Sequence, residues 1–120
     1  MNKQPKRGDV YLVCLDAKVT RKISKVRPAV IISNDIGNSV SLFVTVIPVT
    51  SYKEKIYPFE ALLFSENSGL SHNSIAKCNQ VRTIAKKRLV RSIGKISAEE
   101  IGAIEEALLI HSGMYFDRKN

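Results

Sequence analysis

The side chains of this sequence best suited to chemistry are cations, hydroxyls and one amide: Arg27, Thr50, Ser51, Gln80, Arg82 and Thr83, with Lys18, Arg21, Lys22 and Lys25 just ahead of Arg27. A guanidinium sets two N–H donors on a phosphate at once, and hydroxyls and amides add single hydrogen bonds. Such a set binds RNA, and it can also stabilise the charge that builds on a phosphorane. Each residue has a plainer reading as well. Arg27 would form an ion pair with Asp9 or Asp35, and Thr50 would serve strand propensity or a turn. Other chemistries find less support. There is no glycine-rich phosphate loop, no carboxylate cluster of two-metal type and no readable Ser/His/Asp arrangement. His72 stands in the polar turn "LSHNS", and His111 falls near a helix end, where carbonyls favour a cation. Cys14 and Cys78 lack metal-ligand spacing, and with two histidines they complete no zinc set. They read as buried free thiols of a cytoplasmic protein.

The elements that must position these groups follow from pattern. The 120 residues suit one domain, 1–120, and 44% hydrophobic content argues against a disordered chain. A net charge of +8 favours an anionic partner. "MNKQPKRGD" has no apolar core of a signal peptide, and no run approaches the ~20 apolar residues of a membrane span, so no membrane partner is expected. Strands are expected at 9–16, 28–33, 40–50, 59–64, 74–84 and 89–96, with polar loops at 17–26 and 51–58 and turns at 34–39 and at Gly69. Pro48 implies an edge position or a bulge in its strand. From residue 97 the period changes. Ile101, Ile104, Leu108 and Tyr115 share one helical face over 97–116, and Ser97 with Glu100 makes a capping box. Gly102 weakens that helix a little. Many short strands closed by one C-terminal helix give a mainly β fold: a small, partly open antiparallel barrel. Four of the eleven acidic residues (Glu99, Glu100, Glu105, Glu106) lie in the helix, so the basic face belongs to the barrel and the helix to the other side.

Pro28 gives Arg27 its setting. It fixes its own φ, biases Arg27 toward an extended conformation, and joins it to the apolar run 28–33. The guanidinium therefore projects from a rigid element.

Four segments, in order, carry a resemblance: "RGDVY" (7–11), "RPAVIISNDIGN" (27–38), "VIPVTS" (46–51) and "NQVRTIAKKRL" (79–89), the last followed by "IGKIS" and the final helix. Together they resemble the MazF/PemK-type toxins over almost the whole chain. The resemblance implies an SH3-like barrel with a C-terminal helix, usually homodimeric. It implies metal-independent, cofactor-free cleavage of single-stranded RNA at a short sequence, leaving a 2′,3′-cyclic phosphate and a 5′-hydroxyl. It also implies a cognate antitoxin whose acidic, flexible tail occupies the RNA groove. The family's catalytic pair matches Arg27 and Thr50. Lys18, Arg21, Lys22, Lys25, Ser51, Gln80 and Arg82 are then the RNA-binding candidates, and specificity rests on loops 17–26 and 51–58. Dimerisation follows from the resemblance alone; the sequence adds apolar candidates in 40–47 and in the helix.

The chain departs from the family pattern twice. The loop before "RP", often glycine-containing in relatives, has four cations and no glycine in 17–26. Ala85 stands where relatives commonly carry an aspartate, so any role of that acid is absent. Two rivals bear on the reading. Composition alone equally suits a non-catalytic basic module that binds nucleic acid or protein. Barrels of this type that act on DNA gyrase lack the RP arginine, and "GMYFDRKN" gives no signal for that role.

Overall fold

The computed structural model describes residues 4–15, 25–64 and 66–114. Seven strands run in the order β1 (Asp9–Cys14), β2 (Val26–Ile31), β3 (Phe43–Ser51), β4 (Ala61–Leu63), β5 (Ser74–Ala76), β6 (Arg82–Ala85) and β7 (Leu89–Lys95). Helix α1 (Asp35–Val40) follows β2, and α2 (Ala98–Ser112) closes the described chain. All pairings are antiparallel, in the order β4-β5-β3-β2-β1-β7, with β6 also on β3. Among the described residues β4 and β7 do not meet. The fold is thus an open, curled sheet with a C-terminal helix rather than a closed barrel, as the expected partly open form allows.

Alternation along the strands makes two cores. Val10, Val30, Ile47, Val49, Leu63 and Ala76 pack on one face under Ile104 and Ala107 of α2. Tyr11, Val13, Ala29, Ile31, Val44, Val46 and Ile84 pack on the other. The helix is anchored by its start. Ser97 Oγ accepts from Glu100 N–H at 3.1 Å, and Glu100 Oε1 accepts from Ser97 N–H at 2.8 Å. The second oxygen, Oε2, accepts from Phe64 N–H at 2.6 Å, so the capping box also ties α2 to the end of β4. Gly113, in the left-handed region, ends the helix.

Several boundaries differ from pattern reading. The turn at 34–39 is a short helix, because Asn34 Oδ1 accepts from Gly37 N–H at 2.7 Å and caps it. The strand expected at 59–64 shrinks to 61–63, since Tyr57 to Glu60 form a turn. The run 74–84 breaks into β5, a 3₁₀ turn at Cys78–Gln80, and β6. Cys78 is buried there, whereas Cys14 is only partly so, being at the strand end. Pro48 is neither at an edge nor in a bulge. It lies inside β3, where one side changes partner from β6 (at 43–46) to β5 (at 49–51). Its carbonyl accepts from Lys77 N–H at 2.9 Å, so its missing donor faces the 3₁₀ break, where a strand amide would have no ladder partner. The helix ends at Ser112, and Tyr115 lies outside the described residues.

Gly69 marks the tightest backbone approach. Its φ is +81°, and a Cβ there would stand 2.0 Å from the Ile93 carbonyl oxygen. Gly102, exposed in α2, has nothing within 4 Å of its Cβ position. Thermal unfolding should therefore show opposite signs: Gly69→Ala loses about 2 kcal/mol or more, and Gly102→Ala gains about 0.5–1 kcal/mol.

Candidate active site

The β2–β3 ladder runs Ile31↔Val46, Val30↔Ile47, Ala29↔Pro48 and then stops. The cause is local. Ile32 N–H donates to the Thr45 carbonyl at 2.9 Å, so alternate positions of β2, at 32, 30 and 28, turn their backbone toward β3. Position 28 is proline and has no N–H to give. Extending the register by two residues puts Arg27 opposite Thr50, with the strands free to part between them. Both side chains share the face of Ala29, Ile31 and Val46, away from α2.

Beyond the end of this ladder lies a groove of about 1610 Å³. Lys25, Arg27, Thr50, Ser51, Gln80 and Arg82 all line it, so six of the expected residues come together. Lys18, Arg21 and Lys22 lie outside the described residues. Thr83 does not join them: it faces away, its hydroxyl 2.9 Å from that of Thr45. The ion pair that would have made Arg27 merely structural does not form. Asp35 accepts from Arg7 N–H at 2.7 Å, and Asp9 accepts from Lys6 N–H at 2.8 Å. The bond from Arg7 N–H, the strongest influence on Asp35, holds its carboxyl below the usual value. Among the described residues the Arg27 guanidinium, exposed, makes no ion pair or hydrogen bond.

The rest of the lining was not singled out from sequence. Lys53, Lys55 and Tyr57 belong to loop 51–58, which was marked only as a whole. Tyr57 stacks on Phe59 at 5.4 Å between centroids, and Lys55 Nζ lies 5.0 Å from the Tyr57 ring. Tyr57 is the aromatic ring of the groove's lining. Glu60 and Lys77 complete the floor. Glu60 Oε2 lies 2.6 Å from Lys77 Nζ, and Oε1 accepts from Tyr57 N–H at 3.0 Å. The available signal was a lysine inside the apolar run "SIAKC", which alternation turns away from Ala76 and its core. In all, six cations and two carboxylates line the groove.

His72 is not simply solvated: its Nε2 lies 2.7 Å from Ser51 Oγ and its Nδ1 2.9 Å from Ser71 Oγ. Ser51 pairs with Ser74 at the strand end, so its hydroxyl lies on the opposite face from that of Thr50. His111 stands exposed in the last turn of α2. Among the described residues no three His, Cys, Asp or Glu side chains gather as metal ligands, and no helix is long and apolar enough to cross a membrane.

One face covered by a helix and a largely cationic groove on the other define a small β protein of open-sheet type. The comparisons with known proteins name the family. The description "PemK-like, MazF-like toxin of type II toxin-antitoxin system" matches residues 6–111. The chain is 38% identical to Endoribonuclease MazF9 of Mycobacterium tuberculosis (strain ATCC 25618 / H37Rv), over 92% of this chain and 98% of that one. It is 35% identical to Endoribonuclease EndoA of Bacillus subtilis (strain 168), over 88% and 91%. A Deinococcus radiodurans MazE-MazF structure shares the fold at a TM-score of 0.78 and 22% identity, over 95% and 100%. So does a mycobacterial endoribonuclease solved with its cognate antitoxin, at 0.76 and 21%, over 94% and 99%. The chain belongs to the PemK-like, MazF-like toxins of type II toxin–antitoxin systems, an endoribonuclease class by the names its relatives bear.

Burial pushes the Glu60 carboxyl up, but the bonds from Lys77 and Tyr57 N–H and the ammonium charge outweigh it, and its pKa lies below the ordinary value. The stabilisation is then whole above the ordinary carboxylate range and is lost as pH falls through the lowered value. Melting temperature against pH should show an acid-side fall that Glu60→Gln makes shallower.

Proposed function

We propose that this chain is the RNA-cutting toxin of a toxin–antitoxin pair, cleaving single-stranded mRNA in the cytoplasm at a short sequence without a metal ion. The observation that carries the reading is that Arg27 and Thr50 line one groove just beyond the end of the β2–β3 ladder, with the Arg27 guanidinium in no ion pair among the described residues. In the reaction a ribose 2′-hydroxyl loses its proton as its oxygen attacks the adjacent phosphorus, the bond to the 5′-oxygen breaks, and that oxygen takes up a proton. A 2′,3′-cyclic phosphate and a 5′-hydroxyl result. Arginine keeps its proton up to a pKa above about 12, so Arg27 is a clamp and not a base. Its two donors tighten as charge develops on the phosphorane. Thr50 donates to a phosphate oxygen or orients the 2′-hydroxyl. Lys25, Gln80 and Arg82 hold the flanking strand, Ser51 shapes the groove's end, and loop 51–58 supplies its aromatic ring. Lys18, Arg21 and Lys22 add positive charge beside Arg27 in sequence. The six groove cations equally suit the acidic tail of a cognate antitoxin, which would block RNA by occupying the same charge.

A second copy of the chain is the other partner. Ile36 and Val40 of α1 and Leu42 and Phe43 at the start of β3 are exposed in one continuous stretch of chain. Burying these side chains against a twin would remove much of the apolar surface the monomer leaves wet. Light scattering should report a dimer, and Leu42→Glu with Phe43→Glu should yield a monomer.

The central test is incubation with a long single-stranded RNA in EDTA. Cleavage should persist, and the new 5′ ends should accept phosphate directly from polynucleotide kinase. Arg27→Ala should abolish it, and Arg27→Lys, lacking the fork, should fall about 10²-fold. Tight binding of RNA with no cleavage would establish the non-catalytic module instead.

A further inference from the structure

We propose that Lys77 is a phosphate contact for the RNA strand, one step from the Arg27–Thr50 centre, and that Glu60 is the positioning residue that holds it there. This rests on the endoribonuclease reading above. Three observations place the lysine. Its N–H donates to the Pro48 carbonyl, so it stands in the cross-strand row of Pro48, two residues along β3 from Thr50. Two residues of strand span about 6.7 Å, comparable with one step along an extended nucleotide chain. By alternation its side chain leaves the core face of Ala76 for the groove face, where it lines the floor.

The role of Glu60 follows from what it costs. Its side chain is 2% exposed, and it is an anion under a groove built for an anion. A buried ion pair is weak evidence for stability, since desolvation offsets most of its attraction. What the pair does supply is a fixed position. One carboxylate oxygen is held by Tyr57 N–H, and the other takes a single donor of the Lys77 ammonium. An ammonium has three donors, so two remain. The Lys77 side chain keeps 28% exposure, enough for those donors to reach a ligand. Among the described residues no other groove cation is held by a carboxylate. Lysine otherwise spends rotamer entropy on each contact it makes, and here that entropy is lost on folding.

The claim predicts an unusual sign. Removing a carboxylate from a cationic groove should ordinarily tighten RNA binding. Glu60→Gln should instead loosen it several-fold, because the lysine is released. Binding is measured by fluorescence anisotropy with a single-stranded 2′-O-methyl RNA, which cannot be cut, at a series of salt concentrations. Lys77→Met should raise Kd several-fold and flatten the log Kd against log salt slope by about 0.7, the value of one phosphate contact on a single strand. Lys77→Arg should keep the slope. In the Lys77→Met background Glu60→Gln should no longer loosen binding, since Glu60 acts through the lysine. With cleavable RNA the losses should fall on KM rather than kcat. Tighter binding by Glu60→Gln, or an unchanged slope in Lys77→Met, overturns the proposal. If Glu60→Gln does not fold, the contrast between Lys77→Met and Lys77→Arg decides it. Should the wild type bind the 2′-O-methyl strand yet cut no RNA, the nuclease reading fails alone, and the binding series still judges Lys77.

Discussion

The β2–β3 ladder and the residue that ends it govern the rest of the molecule. A ladder of three residue pairs fixes the two central strands rigidly, and a proline then removes the next donor. Arg27 and Thr50 stand just beyond the end of that ladder and line the groove, mounted on strands with residues in the core. Pro48 does the complementary service on the other side of β3. It gives up a donor only where the neighbouring strand is already broken by the 3₁₀ turn. Each proline thus stands where a strand register ends or changes partner, so that its missing N–H interrupts no continuing ladder.

Charge is distributed to suit that opening. Two like charges about 7 Å apart in water repel by about 0.6 kcal/mol, so exposed groove cations are tolerable at little cost. A half-buried one is not, and Lys77 is the half-buried one that has a carboxylate beside it. The same buried anion is felt in the core. Burial first, then Glu60, pushes the Cys78 thiol up to about 12, which keeps it a neutral packing group at physiological pH. Away from the groove, Arg7 joins β2 and α2: its Nε donates to the Ile32 carbonyl, and its guanidinium pairs with Glu105. The acidic helix and the cationic groove thus occupy opposite faces of one sheet.

Much of this was legible in the residues. The strands read at 9–16 and 28–33 correspond to β1 and β2 with ends shifted by two residues, and the change of period at Ser97 and the capping box correspond to α2, because each is a local property. The break of 74–84 into two short strands was not legible. The residues of "SIAKCNQVRTI" favour extended chain throughout, and only the need of β3 for two different partners makes the chain turn at Cys78. The helix at 35–40 was missed for the opposite reason: Asn, Asp and Gly are as common in turns as in caps, and the Asn34 side chain decides between them. At the site, Arg27 was found because it stands at the mouth of an apolar run, and Lys25 because it belongs to a basic loop. Glu60 and Lys77 were passed over because each alone is an ordinary surface residue type.

By itself the sequence determined the type of fold, the rigid mount of Arg27 on Pro28, the helix start at Ser97 and the excess of positive charge. These follow from dihedral restriction, hydrophobic period and composition, which need no knowledge of distant neighbours. Only the tertiary structure decided that Arg27 and Thr50 line one groove, that the β2–β3 ladder stops at Ala29 and Pro48, and that Glu60 meets Lys77. Register between strands is a relation between segments far apart in the chain. A shift of one residue would have turned Thr50 to the core and Val49 to the groove, and no local rule in either segment forbids it. The packing of two cores on the two faces of β3 does.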